Sequence, residues 1–411
     1  MVGMAAERHK VLQALTISAP RAPLDALLAL PVAPLVAWED RDGQILVGLG
    51  AAAAIRGADA RAAASIYARL RGPAPPFLGG LAFAPGEDRE ADEVWAGFGE
   101  GLFVLPRWTY RLHDGEATLT FVGDAPPHLE LEAIRQRLAH PTPLAPLPPV
   151  RIAGDDGEPF RATVSAALDE IAAERLGKVV VARRLRVDGA TALGDRTVLH
   201  RLAAPGVSRF ALRLDGATFL GASPERLVAR RGRLVTSEAL AGSAPAGRAA
   251  ALAASAKDRH EHRPVVEAIA AALAPLCVEL DVPAAPEPRA LRDVVHLATA
   301  IRGQLADDTH VLGLAAALHP TPAVGGTPRA AALDFIAERE PPRGWYAAPF
   351  GWFDRAGDGE LAVALRSGVV RGASAHLYAG SGIVAGSDPD AELAETRLKL
   401  RTMLAALGAE G

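Results

Sequence analysis

Between Lys178 and Lys399, several strand ends and loops set polar residues among small or apolar neighbours, the pattern of a site rather than of solvated surface. Glu392, Glu395 and Lys399 fall at i, i+3 and i+7, so a helix would aim two carboxylates and an ammonium along one face. Glu225 follows Ser223-Pro224, and a carboxyl there could act as an acid only if a dry setting raised its pKa. Lys178 could accept a proton near neutral pH only if desolvation or a nearby cation lowered its pKa from about 10.4. Arg366, in VALRS, offers a fork suited to a carboxylate. Taken singly, each residue also has a plainer role. Lys178 reads as a surface lysine at a strand edge, Glu225 as a solvated turn, His296 as a satisfied core histidine, and Glu395 with Lys399 as an i, i+4 surface pair. Local spacing favours those plainer roles, so function depends on which residues converge.

The elements that must position them follow from periodicity and turn chemistry. Pro159 to Leu176 has helical spacing and stops at Gly177, and a strand from Lys178 to Val187 follows at once. Phe210 to Ser237 reads as short strands turning at Asp215-Gly216 and Arg231-Gly232. Lys257 to Leu276 looks helical, with Pro264 in its first turn or kinking it. Thr327-Pro328 and Asp388-Pro389 each pair a capping residue with a proline at a helix start. Trp345 to Phe353, Glu360 to Val370 and His376 to Val384 read as strands. Upstream, hairpins turn at Asp42-Gly43 and Asp114-Gly115, and His128 to His140 is helical. A proline cluster from Pro141 to Pro149 forms a stiff connector after this N-terminal third. Hairpins with interspersed helices, without regular βαβ alternation, predict α+β with antiparallel sheets.

Bulk properties bound the function. Of 411 residues, 50% are hydrophobic and 22% charged, enough for a sizeable core. A net charge of -4 with mixed signs gives no broad positive field for nucleic acid or anionic membrane, so an anionic ligand must be caught locally. No segment reads as a secretory signal or a membrane span. Cys277 alone excludes an internal disulfide or a cysteine-rich zinc site, and its apolar run suits a buried thiol. A cytoplasmic monomer is expected.

The ordered segments KVVVARR, FLGASPERL, SEALAGS, SAKDRHEH, DVVHLATAIRG, LHPTPAVGGTP, RGWYAAPFGWFD, GDGELAVALRS, LYAGSGIVAGSDP and ELAETRLK resemble the chorismate-utilising enzymes, and among them the isochorismate synthases. The likeness runs from about Phe160 to the C-terminus; within residues 1–150 only GGLAF and FVLP carry it. It implies one large domain, 1–411, of two packed antiparallel sheets with helices outside, the proline connector lying inside it. It also implies Lys178 as general base for water, Glu225 as general acid, and Glu261 and Glu395 as magnesium ligands, with Glu392 acting through water. Lys399 and Gly242 would meet the substrate's ring carboxylate. Arg366 would anchor the enolpyruvyl carboxylate, with Tyr378 and the backbone of Gly380, Ser381 and Gly382 nearby, and His296 would face the substrate. Ala348 and Phe350 depart from the family's YAGPVG pattern and would add bulk beside the site.

Within the family, the resemblance points to addition of water with pyruvate retained. Lys178 fills the position where anthranilate synthases lack the lysine base, and Ala323 stands where lyase members tend to carry threonine. Ammonia users draw on a glutamine amidotransferase with a nucleophilic cysteine, and Cys277 has no suitable context for that, so no such domain is fused here. Two other readings stay open: a salicylate synthase that goes on to expel pyruvate, and a chorismate-binding regulator without activity. The product's destination could be menaquinone, a siderophore or salicylate.

Overall fold

Strand Leu35–Glu39 sends Leu35 and Ala37 to one side and Val36 and Trp38 to the other, and all four are buried. A strand with a core on each face must lie inside the molecule, and its neighbours follow suit. Ser208–Leu214 pairs antiparallel with it, then Ala217–Ser223, Ser367–Arg371, Ser374–Ile383 and Lys178–Gly189 continue the ladder in turn. The computed structural model describes residues 11–86, 92–154, 157–245, 247–290 and 294–409. Among these, 21 strands join one hydrogen-bonded network, antiparallel apart from the short pairing of Leu12–Ser18 with Leu70–Arg71. The fold is α+β.

Two cores flank the central ladder. Phe210, Phe219, Trp345 and Phe350 fill one, and Phe210 stacks on Phe350 with ring centroids 4.8 Å apart. The other lies between the ladder and the C-terminal helix Pro389–Leu407, which contributes Leu400, Met403 and Leu407. Each such side chain stabilises the fold by roughly 1.5–3 kcal/mol through burial. Strands on both sides of the proline segment pair directly: Leu35–Glu39 with Ser208–Leu214, and Phe77–Leu81 with Pro349–Phe353. Ala348 and Phe350 are fully buried, so the bulk expected beside the site lies in the core instead. Cys277 is half-buried rather than buried.

Several element ends differ from the sequence expectation. The helix before Lys178 spans Glu158–Ala172 and is closed by Glu174 at φ 58, with the Arg175 and Leu176 N–H groups both returning to the Glu170 carbonyl. Gly177 is thus no cap; its N–H joins the Thr327 carbonyl at 2.7 Å and starts the strand. The helix carrying Pro264 opens at Ala256, so the proline lies well inside it. Pro328 precedes helix Arg329–Arg339 as its cap residue and makes no side-chain cap. Asp388 does cap: its carboxylate accepts the Ala391 N–H at 2.9 Å. The run Glu360 to Val370 is two strands, Gly359–Val363 and Ser367–Arg371, interrupted where Arg366 adopts φ 47.

Candidate active site

The break at Ala364 to Arg366 exists because the chain leaves the ladder to form a wall. Leu365 and Arg366 line a cavity of about 240 Å³ together with Lys178, Glu225, Gly242, His296, Ala323 and Gly382. Glu392, Glu395 and Lys399 complete it from the C-terminal helix. A non-glycine residue in the left-handed region is strained, and such strain persists where the surroundings impose a functional geometry.

Each wall has a local reason. Lys178 opens its strand and its side chain runs past Gly382 of the neighbouring strand, where a Cβ would stand 2.9 Å from the lysine Cε, so glycine there makes room for the amine. Gly242 sits at a bulge between Leu234–Pro245 and Val294–Leu305 with φ 77, which turns its carbonyl towards His296. The His296 Nδ1–H donates to that carbonyl at 3.2 Å, and burial pushes the imidazole down to about 4, so the ring is neutral near pH 7. On the C-terminal helix, Lys399 Nζ lies 2.6 Å from Glu395 and donates to the Gly380 carbonyl at 2.8 Å. The i, i+4 pair therefore forms, but it faces the cavity. Burial raises the Glu395 pKa, yet Lys399, Ser381 and Arg366 outweigh this and hold it below the ordinary carboxylate range.

Glu225 is buried, and its backbone is clamped on both sides: its N–H donates to Ser223 Oγ at 3.1 Å and its carbonyl accepts from Val363 at 3.0 Å. Burial, then the charge of Glu238, push its carboxyl up to about 8 against the opposing pull of Arg41, Arg366 and Lys178. The acid is therefore protonated near neutral pH. Arg366 and Lys399, with the Lys178 amine beside them, face two carboxylates, Glu392 and Glu395, which suits an anionic ligand. The shift has a stability consequence. Between pH 4.5 and about 8 the unfolded chain gives up this proton while the folded chain keeps it, so stability falls as pH rises through that window. Glu225→Gln should be more stable than the parent at pH 8, by on the order of a few kcal/mol, and so melt higher there, with little advantage near pH 4.5. A melting difference that does not grow with pH would show that the carboxyl is not held protonated.

Not every expected residue reaches the wall. Tyr378 lies behind Tyr346, stacked on it with ring centroids 5.2 Å apart, and Tyr346 takes the place beside Arg366 and Gly380 in a small extension of the cavity. Ser381 donates to Glu392 and so orients that carboxylate instead of lining the cavity. Strand alternation turns Ser381 towards the C-terminal helix, whereas Tyr378 shares the face of Gly380 and Gly382 and is kept off the cavity by the packing of Tyr346. Glu261 belongs to helix Ala256–Leu273, which packs on Leu234–Pro245; its side chain lies outside the described residues. Tyr346, Leu365, Glu238 and Arg41 were missed by sequence reasoning. The signal for Glu238 was present: a charge in the middle of an apolar strand segment, SEALAG. Arg41, from a distant hairpin, gave none.

Among the described residues, no helix is long and apolar enough to cross a membrane. Residues 25–408 match the family model described as chorismate binding enzyme. Over 370 residues the chain is 42% identical to a protein named "Salicylate biosynthesis isochorismate synthase" from Pseudomonas aeruginosa, covering 83% of this chain and 76% of that one. It is 36% identical over 365 residues to "Isochorismate synthase MenF" of Bacillus subtilis, covering 82% and 75%. The solved structure of MenF, the menaquinone-specific isochorismate synthase from Escherichia coli, superposes with a TM-score of 0.79 at 30% identity, over 96% of this chain and 94% of that one. Anthranilate synthase component I from Streptococcus pneumoniae, TM-score 0.68 at 20% identity, shares the fold. The chain belongs to the chorismate-binding enzyme family, and its relatives there include isochorismate synthases.

Proposed function

We propose that this chain, acting as a cytoplasmic monomer, interconverts chorismate and isochorismate by adding water at C2 and expelling the C4 hydroxyl. The observation that carries this reading is one cavity holding an amine, Lys178, and a carboxyl raised to about 8, Glu225, among anion-binding cations. Lys178 takes a proton from the attacking water as its oxygen bonds to C2. Both ring double bonds shift, C1=C2 to C1=C6 and C5=C6 to C4=C5, as the C4–O bond breaks and Glu225 gives its proton to the departing hydroxyl, so water enters and water leaves. Arg366 anchors the enolpyruvyl carboxylate by its fork. Lys399 and the Gly242 backbone meet the ring carboxylate, and neutral His296 lines the cavity without adding charge.

Magnesium fits the donors present. The ion takes oxygen ligands, commonly one or two carboxylates with waters and substrate oxygens. Glu395 and Glu392 lie one helical turn apart on the cavity wall, and the described residues hold no cluster of three carboxylate, histidine or cysteine ligands. Glu395 and Glu261 would hold the ion, with Glu392 acting through water. Bound there, the ion supplies charge neutralisation for the ring carboxylate.

The product test separates this activity from salicylate synthesis. Isochorismate and chorismate differ by the position of one allylic hydroxyl, so the reaction should run in both directions and stop at a mixture. Pyruvate loss needs the side chain held in a reactive conformation, and the methyl of Ala323, on the cavity wall, constrains it less than threonine would. Incubation with chorismate and magnesium should give isochorismate with little pyruvate. Pyruvate appearing in step with chorismate loss, where free isochorismate is stable, would establish the lyase reading instead.

A further inference from the structure

Glu238 does not touch the cavity, yet it is a buried carboxylate at the back of the acid. It sits on Leu234–Pro245, opposite Ala300 of Val294–Leu305, with 6% of its side chain exposed. Arg41 reaches it from the hairpin turn after Leu35–Glu39, at 3.0 Å from one carboxylate oxygen and 3.3 Å from the other. Arg289, from strand Glu287–Ala290, donates to it as well. The second Arg41 nitrogen also donates to the carbonyl of Pro224, the residue directly before Glu225. The Arg41 turn is itself fixed, because Asp40 accepts the N–H groups of Asp42 and Gln44, each at 2.9 Å. One guanidinium, more than 180 residues away in the chain from either, thus ties the turn bearing the acid to Glu238.

This arrangement poses an electrostatic problem. An arginine so near a carboxyl favours its ionised form, which would remove the proton the reaction needs. We propose that Glu238 is a positioning residue for Glu225: its carboxylate holds Arg41 in place and offsets its charge, so that this guanidinium fixes the Pro224 carbonyl without stripping the acid of its proton. The proposal rests on Glu225 being the general acid. The direction of the interactions supports it: after burial, Glu238 is the largest influence keeping Glu225 protonated, and Arg41 is the largest opposing one. The remaining charged groups around Glu225 come from other elements. Lys178 and Arg366 favour its ionised form, while Glu392, Glu395 and Lys399 share its cavity from the C-terminal helix and neutral His296 faces it from Val294–Leu305. None of them lies in the Arg41 to Glu238 bridge, so the bridge can be altered separately.

The test is the pH profile of kcat/KM at saturating, constant magnesium, whose basic limb reports loss of the acid's proton. Glu238→Gln should move that limb to lower pH by about one unit or more, and lower kcat at pH 8 with KM little changed. Arg41→Ala should move it the opposite way, to higher pH, and the double variant should bring it back towards the parent. Opposite shifts from the two partners are not produced by general loosening of the fold. Should Glu238→Gln fail to fold, the upward shift in Arg41→Ala decides alone. An unmoved limb in either folded variant, or shifts of the same sign, overturns the role of Glu238. Glu225→Gln is measured alongside. If it keeps both rate and basic limb, the acid assignment itself fails; if it loses them while the bridge variants leave the limb unmoved, only the role of Glu238 fails.

Discussion

Glu225→Gln and Lys178→Ala should each lower turnover by roughly 100- to 10,000-fold, the span usual for loss of a general acid or base. The glutamine keeps the shape of the side chain and the two backbone clamps on residue 225, so folding is not at stake. What disappears is a proton that the folded enzyme holds up to about pH 8. In the parent, kcat/KM should fall as pH rises through that value, and in Glu225→Gln the residual rate should lose this limb. The variant should then be slower and, above neutral pH, more stable, since the parent keeps a buried acid at the expense of stability. Lys178→Ala removes the amine that Gly382 leaves room for, while the pairing of Lys178 with Thr327 runs through the backbone and survives. A steady-state assay of isochorismate formation checks both. An unchanged rate in either folded variant means that the acid or the base is another group.

Much of this architecture was legible because it is local. Asp114 at φ 48 and Gly115 at φ 77 make the tight turn that their types demand, and Asp388 caps the last helix as its side chain allows. The face shared by Glu392, Glu395 and Lys399 follows from helical geometry alone, whereas its direction, inward rather than to solvent, depends on where the helix docks. Spacing could therefore not separate a site from a surface pair; the likeness of ordered motifs did. The break at Arg366 was illegible for the converse reason. ELAVALRSGVV has the composition of one continuous strand, and only the cavity imposes the left-handed residue that divides it. Tyr378 and Tyr346 show the same limit: both are buried tyrosines, and tertiary packing decides which reaches the cavity. Arg41 contributes across 197 residues to Glu238, a distance over which no local pattern speaks.

Removal of divalent metal should abolish turnover, and magnesium should restore it. The Lys399 ammonium is held by Glu395 at 2.6 Å and by the Gly380 carbonyl. Glu395 is kept below the ordinary carboxylate range, so it is ionised throughout the working pH and available as a hard oxygen ligand. An ion taking part of that carboxylate's charge would loosen its hold on Lys399 and free the ammonium for a substrate carboxylate. Without the ion, Lys399 stays committed to Glu395, and a substrate carboxylate has to compete with Glu395 for it. Metal and substrate binding should therefore be mutually reinforcing, and titration calorimetry should give a tighter magnesium Kd with chorismate present than without it. Glu395→Ala and Glu261→Ala should each weaken magnesium binding by at least about tenfold, seen in the same titration independently of turnover. Full activity of the parent in excess chelator, or unchanged magnesium affinity in both variants, would remove the metal from these carboxylates.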